Sequence, residues 1–416
     1  MPTPWPTVDM RDLASCAGLC RPKPRRRFSG NVASPFRRAG SIGSRLPLLL
    51  CWLPSLVVNS AWACPFCGPV GDSLARRRDA AGFVCIAEAL TPATADASGL
   101  LAGSFRVIQV LADTPGRVDG DPPERVTARV AAPVEGTAVL FGSADDSPRW
   151  TAVAADESLL EHVVTAPPVT LPAGERLAWF ARRLEHRVPA IAEDAFTEFA
   201  LAPYPDVLAA AAALAERPLA RWVADPATDQ RRRGFYGLAL GIVAAADGGR
   251  AVSSAPLRAA LASGGGDFRA GADGLMAGVL VADGVEGLGW LVERAGPDRP
   301  VDQRQLLAAL RFAGEYLGDT IPAGQITAAT ARLAQSPAVA ADAIIDLARR
   351  EAWEEVDGVA GWWERAADDP LIRRAVAGYL TACPTSAARE HLDRIGREDP
   401  AALAAARAAA DLPLGR

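Results

Sequence analysis

Beyond residue 63 the chain has no lysine at all; its one lysine is Lys23. That absence removes whole mechanisms: the phosphate-loop lysine, the Schiff-base lysine and the kinase strand lysine. Gly264-Gly265-Gly266 therefore reads as a turn between helices, since the lysine and hydroxyl of a phosphate loop are missing. Histidine is scarce as well. His162, His186 and His391 stand far apart, and none lies in an HExxH pattern. No G-x-S-x-G occurs after residue 63. No segment beyond residue 63 approaches 18 continuous apolar residues, so a transmembrane segment is not expected there. Cysteine is rare in the same region, at Cys64, Cys67, Cys85 and Cys383. With no second close Cys/His pair, a zinc site lacks half its ligands. A c-type haem needs histidine directly after the second cysteine, and Gly68 stands there. The residues thus call for no cofactor and no metal.

What is present begins with an export signal. LPLLLCWLPSLVV (46–58) has the length of a signal h-region, and Arg25 to Arg27, Arg37, Arg38 and Arg45 precede it. Ala61-Trp62-Ala63 supplies small residues at the two positions that signal peptidase reads. Residues 1–63 are expected to be removed, leaving Cys64 first and the protein exported, periplasmic or secreted. A lipid anchor on Cys64 is the weaker reading, because Trp62 and Ala61 suit a lipobox poorly. Residues 1–63 hold 9 basic and 2 acidic side chains, so the remainder carries 35 against 47, a net charge of about −12. Such a field disfavours nucleic acid as a partner.

Two patterns divide the remaining roughly 350 residues. Residues 82–90, 104–111, 125–130, 137–142 and 149–154 read as short strands separated by Gly/Pro-rich turns. RVTARV (125–130) alternates strictly, and TAVLFG (137–142) is apolar throughout, as a buried strand would be. Five strands in so short a span point to a small barrel or sandwich over 64–160. From residue 174 the period becomes helical. Leu177, Phe180, Ala181 and Leu184 form one face, and Leu306, Leu310, Ala313 and Leu317 another. Helix–turn–helix units recur through 172–416, as in α-solenoids. The expected fold is a small all-β domain followed by an all-α repeat domain.

DDPLIRRAVAGYL (368–380) resembles the second helix of HEAT-like repeats, and SPAVAADAIIDLARR (336–350) is a looser relative. The early cysteines, RRRDAAGFVCIAEAL and the FRVIQVL/GTAVLFG pair resemble the OB-like netrin and tissue-metalloproteinase-inhibitor fold. That family starts Cys-x-Cys, whereas this chain has Cys-x-x-Cys. The whole layout, including AEDAFTEFA, also resembles bacterial exported proteins of unknown function. The inhibitor resemblance implies that a terminal cysteine amine could chelate a protease zinc.

Cys64-Pro65-Phe66-Cys67 has two main readings from its own chemistry. It is a local disulfide pinning the chain start, as an oxidising compartment favours. Alternatively it is a redox pair, although no strand precedes it as in thioredoxin-like sites. Cys85 and Cys383 are expected to be buried free thiols. Asp194 and Glu198 lie one helical turn apart and could do acid–base work or bind a cation. The plainer expectation is that they face solvent or pair with Arg182, Arg183 or Arg187. Arg231-Arg232-Arg233 reads as a solvated helix start, and Trp362-Trp363 as core or groove lining. Together these features lead to a non-catalytic binding or scaffold protein with protein partners. The alternatives are a thiol–disulfide oxidoreductase using Cys64 and Cys67, and a metalloprotease inhibitor acting through Cys64.

Overall fold

The computed structural model describes residues 64, 66–95, 99–111, 114–247, 253–263, 271–296 and 298–410. The expected export signal and the expected Gly264–Gly266 turn lie outside the described residues. A short helix α1 (Leu74–Ala80) enters a sheet built from β1 (Phe83–Ala89), β2 (Thr94–Ala95), β3 (Leu101–Val110), β4 (Arg125–Val130), β5 (Thr137–Gly142) and β6 (Trp150–Ala154). Each of the five expected strands is there; β2 and α1 add to them.

The strand order β1-β5-β6-β4-β3 closes on itself, because β3 pairs back onto β1. All neighbours are antiparallel except β4 and β6, which run parallel with Arg129 opposite Thr151. The result is a five-stranded OB-like barrel, with β2 as a short extension on β3. A bulge between Ile86 and Ala87 bends β1 where it meets β3. Alternation fills the interior: Phe83, Cys85, Ala87, Phe105, Val126, Ala128, Leu140 and Trp150 are buried there together. Gly142 is required at its place, because a Cβ would stand 2.9 Å from the Trp150 ring. The outer face of β1 and β5 is buried too. Val84, Val139 and Phe141 pack against Leu74, Leu159, Val163 and Ile191. This is why TAVLFG has no polar face.

Helices follow: α2 (Glu157–Thr165), α3 (Ala173–Ala181), α4 (Pro189–Ala200), α5 (Tyr204–Ala209), α6 (Glu216–Ala224), α7 (Gln230–Asp247), α8 (Ala255–Ser263) and α9 (Ala272–Arg294). Then come α10 (Pro300–Tyr316), α11 (Ala323–Leu333), α12 (Ala340–Arg349), α13 (Val356–Ala360), α14 (Trp362–Arg365), α15 (Pro370–Ala382), α16 (Ser386–Glu398) and α17 (Pro400–Ala410). Caps set several starts. Asp156 accepts from the Leu159 amide at 2.8 Å. Asp369 accepts from Leu371 and Ile372 ahead of Pro370. The long helices pack in sequence: α7 on α9, α9 on α10, α12 on α15, α15 on α17.

Glycine makes the α7–α9 contact. Gly234, Gly237 and Gly241 face Gly271, Gly274 and Gly278, and a Cβ on Gly237 would stand 2.8 Å from the Leu275 Cα. Among the described residues, α9 alone is long and apolar enough to cross a membrane by length and composition. It is also interrupted at Gly284, whose φ is 56°. Its apolar first half is buried against α7 and α10, and core packing accounts for its composition.

Candidate functional site

The Cys64-x-x-Cys67 loop is the natural starting point. Cys64 and Cys67 form a disulfide, with their Cα atoms 5.5 Å apart. The loop rests on the helical part. The Cys64 amide donates to the Ala200 carbonyl at the end of α4, at 3.0 Å. Cys67 and Phe66 belong to the core of the helical part. Gly234 of α7 leaves room for the Phe66 carbonyl, which would lie 2.9 Å from a Cβ there.

Phe66 reaches an aromatic group on α5 and α10. Its ring centroid is 5.4 Å from that of Phe312 in an edge-on contact. Tyr204 stands 4.9 Å from Phe312 and 5.0 Å from Tyr316. Such edge and tilted pairs are the favoured aromatic geometries. Burial pushes the Tyr204 hydroxyl up to about 12, so it stays neutral.

Above these rings lies an open cavity of about 470 Å³, lined by Phe66, Phe312 and Tyr316 and by Arg311, Arg349 and Arg350. Asp346 of α12 organises the guanidinium groups. Arg311 Nε donates to it at 2.6 Å, and Arg349 lies 3.5 Å away. Asp346 is itself buried, and that burial outweighs the three arginines and holds its carboxyl above the usual range. Arg350 donates to the Leu310 carbonyl at 3.0 Å and lies over Gly314, where any Cβ would overlap its guanidinium. Burial lowers the Arg350 pKa from its ordinary value. Glu315 is the other acid at the rim. A second cavity of about 350 Å³, between α12, α15 and the end of α17, shares Arg349 with the first.

Asp194 and Glu198 do not face solvent, and Arg182, Arg183 and Arg187 are not their partners. Both are buried on α4, at 4% and 0% exposure. Asp194 accepts from the Leu74 amide and contacts His162 Nε2 at 2.8 Å. Glu198 accepts from Ser73 Oγ and from Arg176, with Arg76 Nε at 3.6 Å. Ser73 also caps α1 through the Arg76 amide. These two carboxylates clamp the entry helix of the barrel, and His162 ties in the exit helix α2. Both side chains are buried and their oxygens are taken up by these partners. His162 Nδ1 is buried without a partner.

The remaining expectations divide plainly. Cys85 and Cys383 are buried free thiols. Trp362 and Trp363 are core, at 4% and 3% exposure. Arg232 is less solvated than expected, bridging Glu185 and Glu193 at 3.2 and 2.7 Å. His391 pairs with Asp357 at 2.8 Å. No group of three or more His, Cys, Asp or Glu side chains suited to a metal occurs among the described residues. Sequence reasoning misses the arginine–aromatic cavity. Its sequence signal is the arginine pair Arg349-Arg350 following an apolar stripe, with Arg311, Phe312 and Tyr316 on one helix.

Compared with known proteins, the chain matches no family model, no curated protein and no solved structure.

Proposed function

We propose that this is an exported, non-catalytic binding module that engages protein partners through a HEAT-like stack of its helices. Sequential packing of α7, α9, α10, α11, α12, α15 and α17 supports the stack. The observation that carries the reading is the cavity over Phe66, Phe312 and Tyr316, open to solvent and rimmed by guanidinium groups. Aromatic and arginine side chains are the types that anchor protein interfaces. Two rival readings fare worse. For an oxidoreductase, Cys67 is fully buried and Cys64 is partly buried against the helical core, so an incoming thiolate has only a restricted approach to one sulfur. For a zinc-directed inhibitor, the Cys64 N–H is turned onto the Ala200 carbonyl, which holds the nitrogen against α4 rather than out toward a partner protein.

Site-specific photocrosslinking tests the proposal. A photoreactive residue replacing Glu315, at the rim, should trap a discrete partner in the exported fraction. The same group at the exposed Ile108 of the barrel should not. Repeated failure to trap anything from the Glu315 position overturns the reading.

A further inference from the structure

The cavity has a definite chemistry, and its floor depends on the cysteine loop. Three guanidinium groups converge on it from α10, α12 and the residue after α12, against two carboxylates. Asp346, the buried one, is occupied by Arg311 and Arg349. Arg311 uses Nε for that contact, which leaves the terminal N–H groups of its exposed guanidinium for a ligand. This local excess of positive charge sits in a chain whose balance beyond residue 63 is about −12. Planar guanidinium groups at a rim favour a carboxylate, which they can bind in two parallel hydrogen bonds. The floor is different in kind: three aromatic rings, one of them Phe66. A ligand that satisfies both layers pairs a carboxylate with a flat or bulky apolar group a few ångströms away. The neighbouring cavity sharing Arg349 gives room for an extended chain.

Phe66 has no helix or strand to hold it. It lies between the two cysteines, and its position is set by the disulfide, the Cys64–Ala200 hydrogen bond and the close approach to Gly234. Resting on the binding-module reading, we infer that the cavity takes a short peptide segment with an acidic residue beside an aromatic one, and that the Cys64–Cys67 disulfide is a working part of this site because it fixes Phe66 in the floor. The cysteine pair is then neither a redox centre nor a simple staple. It is the support for one wall of a binding site.

Fluorescence anisotropy on the unaltered protein tests this, with three labelled peptides. One carries Glu-Trp-Glu between Gly-Ser flanks, the second Gln-Trp-Gln, the third Glu-Gly-Glu. The first should bind, and the other two at least ten-fold more weakly. Binding of the first should weaken with added salt. Arg349→Glu should abolish it. Phe66→Ala should weaken it about ten-fold or more, and the double variant Cys64→Ser/Cys67→Ser should match Phe66→Ala while still melting cooperatively. Failure of the Glu-Trp-Glu peptide to bind, or equal binding of the Gln-Trp-Gln peptide, overturns the ligand assignment. Unchanged affinity in the disulfide-free variant overturns the role of the disulfide. A partner trapped at position 315 together with no binding of the Glu-Trp-Glu peptide would sink this inference alone and leave the binding-module reading standing.

Discussion

His162 of α2 and Asp194 of α4 meet at 2.8 Å in the interior, each under 5% exposed. Asp194 also receives the Leu74 amide, so one carboxylate serves both the helix that enters the barrel and the helix that leaves it. Asp194→Ala strands a buried histidine and a buried amide together. The expected cost is about 3 kcal/mol or more, since removing one partner of a buried pair leaves the other uncompensated. Urea unfolding measures it. The double variant His162→Leu/Asp194→Leu should cost less than the two single changes added together. Simple additivity would show that the pair is not coupled.

The glycine seam makes a second, more local prediction. A Cβ on Gly241 would overlap the backbone of Gly278, and neither helix can give way without moving as a whole. Gly241→Ala should lower stability by about 2–3 kcal/mol through overpacking. Gly289, on the same α9, has open space around it, with nothing within 4 Å of where a Cβ would stand. Gly289→Ala should be neutral or stabilising by up to about 1 kcal/mol, because alanine is the better helix former. Thermal melts of the two variants should therefore shift in opposite senses, or at least differ sharply.

Cys85 supplies a pH signature. It sits in the barrel interior, and burial pushes its thiol from 9.0 up to about 11, partly offset by Arg117. The unfolded chain loses this proton first as pH rises, so the stability tied to the neutral thiol is complete below about 9 and is lost between about 9 and 11. Allowing for partial solvent screening, the loss should be about 1–2 kcal/mol. Comparing wild type with Cys85→Ala at pH 8 and pH 10.5 isolates it. The wild type should lose the more stability of the two. Folded Cys85 should also resist alkylation at pH 8.

For the disulfide itself, a loop of only four residues limits the entropic gain. On the chain-entropy model, Cys64→Ser/Cys67→Ser should cost about 2 kcal/mol. Equilibration against glutathione should place the reduction potential below about −300 mV. A value near those of exported oxidants would revive the redox reading.

Most of the barrel was legible because alternation is a local signal. RVTARV places Val126, Ala128 and Val130 inward whatever its neighbours are. The helices were legible for the same reason at a period of 3.6. What could not be read were the pairings that join distant segments. Glu198 finds Ser73 and Arg176, and Asp194 finds His162, across separations no periodicity encodes. Proximity in sequence pointed instead to Arg182, Arg183 and Arg187. The parallel β4–β6 contact was hidden too, since it depends on how the barrel closes. The cavity stayed invisible because Phe66 and Phe312 stand 246 positions apart in the chain.

That last contact limits when Phe66 can pack during folding. Phe66 leaves the ribosome long before α7, whose Gly234 makes room for its carbonyl, and before α10, whose Phe312 packs on its ring. The barrel can close on contacts among its own strands, and Cys64 can take its hydrogen bond to Ala200 once α4 exists, but Phe66 lacks its packing partners until α7 and α10 exist. Long-range contacts of this kind are made late and slow the final step of folding. The two cysteines can join earlier, since they are three residues apart. Loss of α7 and α10 should therefore leave Phe66 in water.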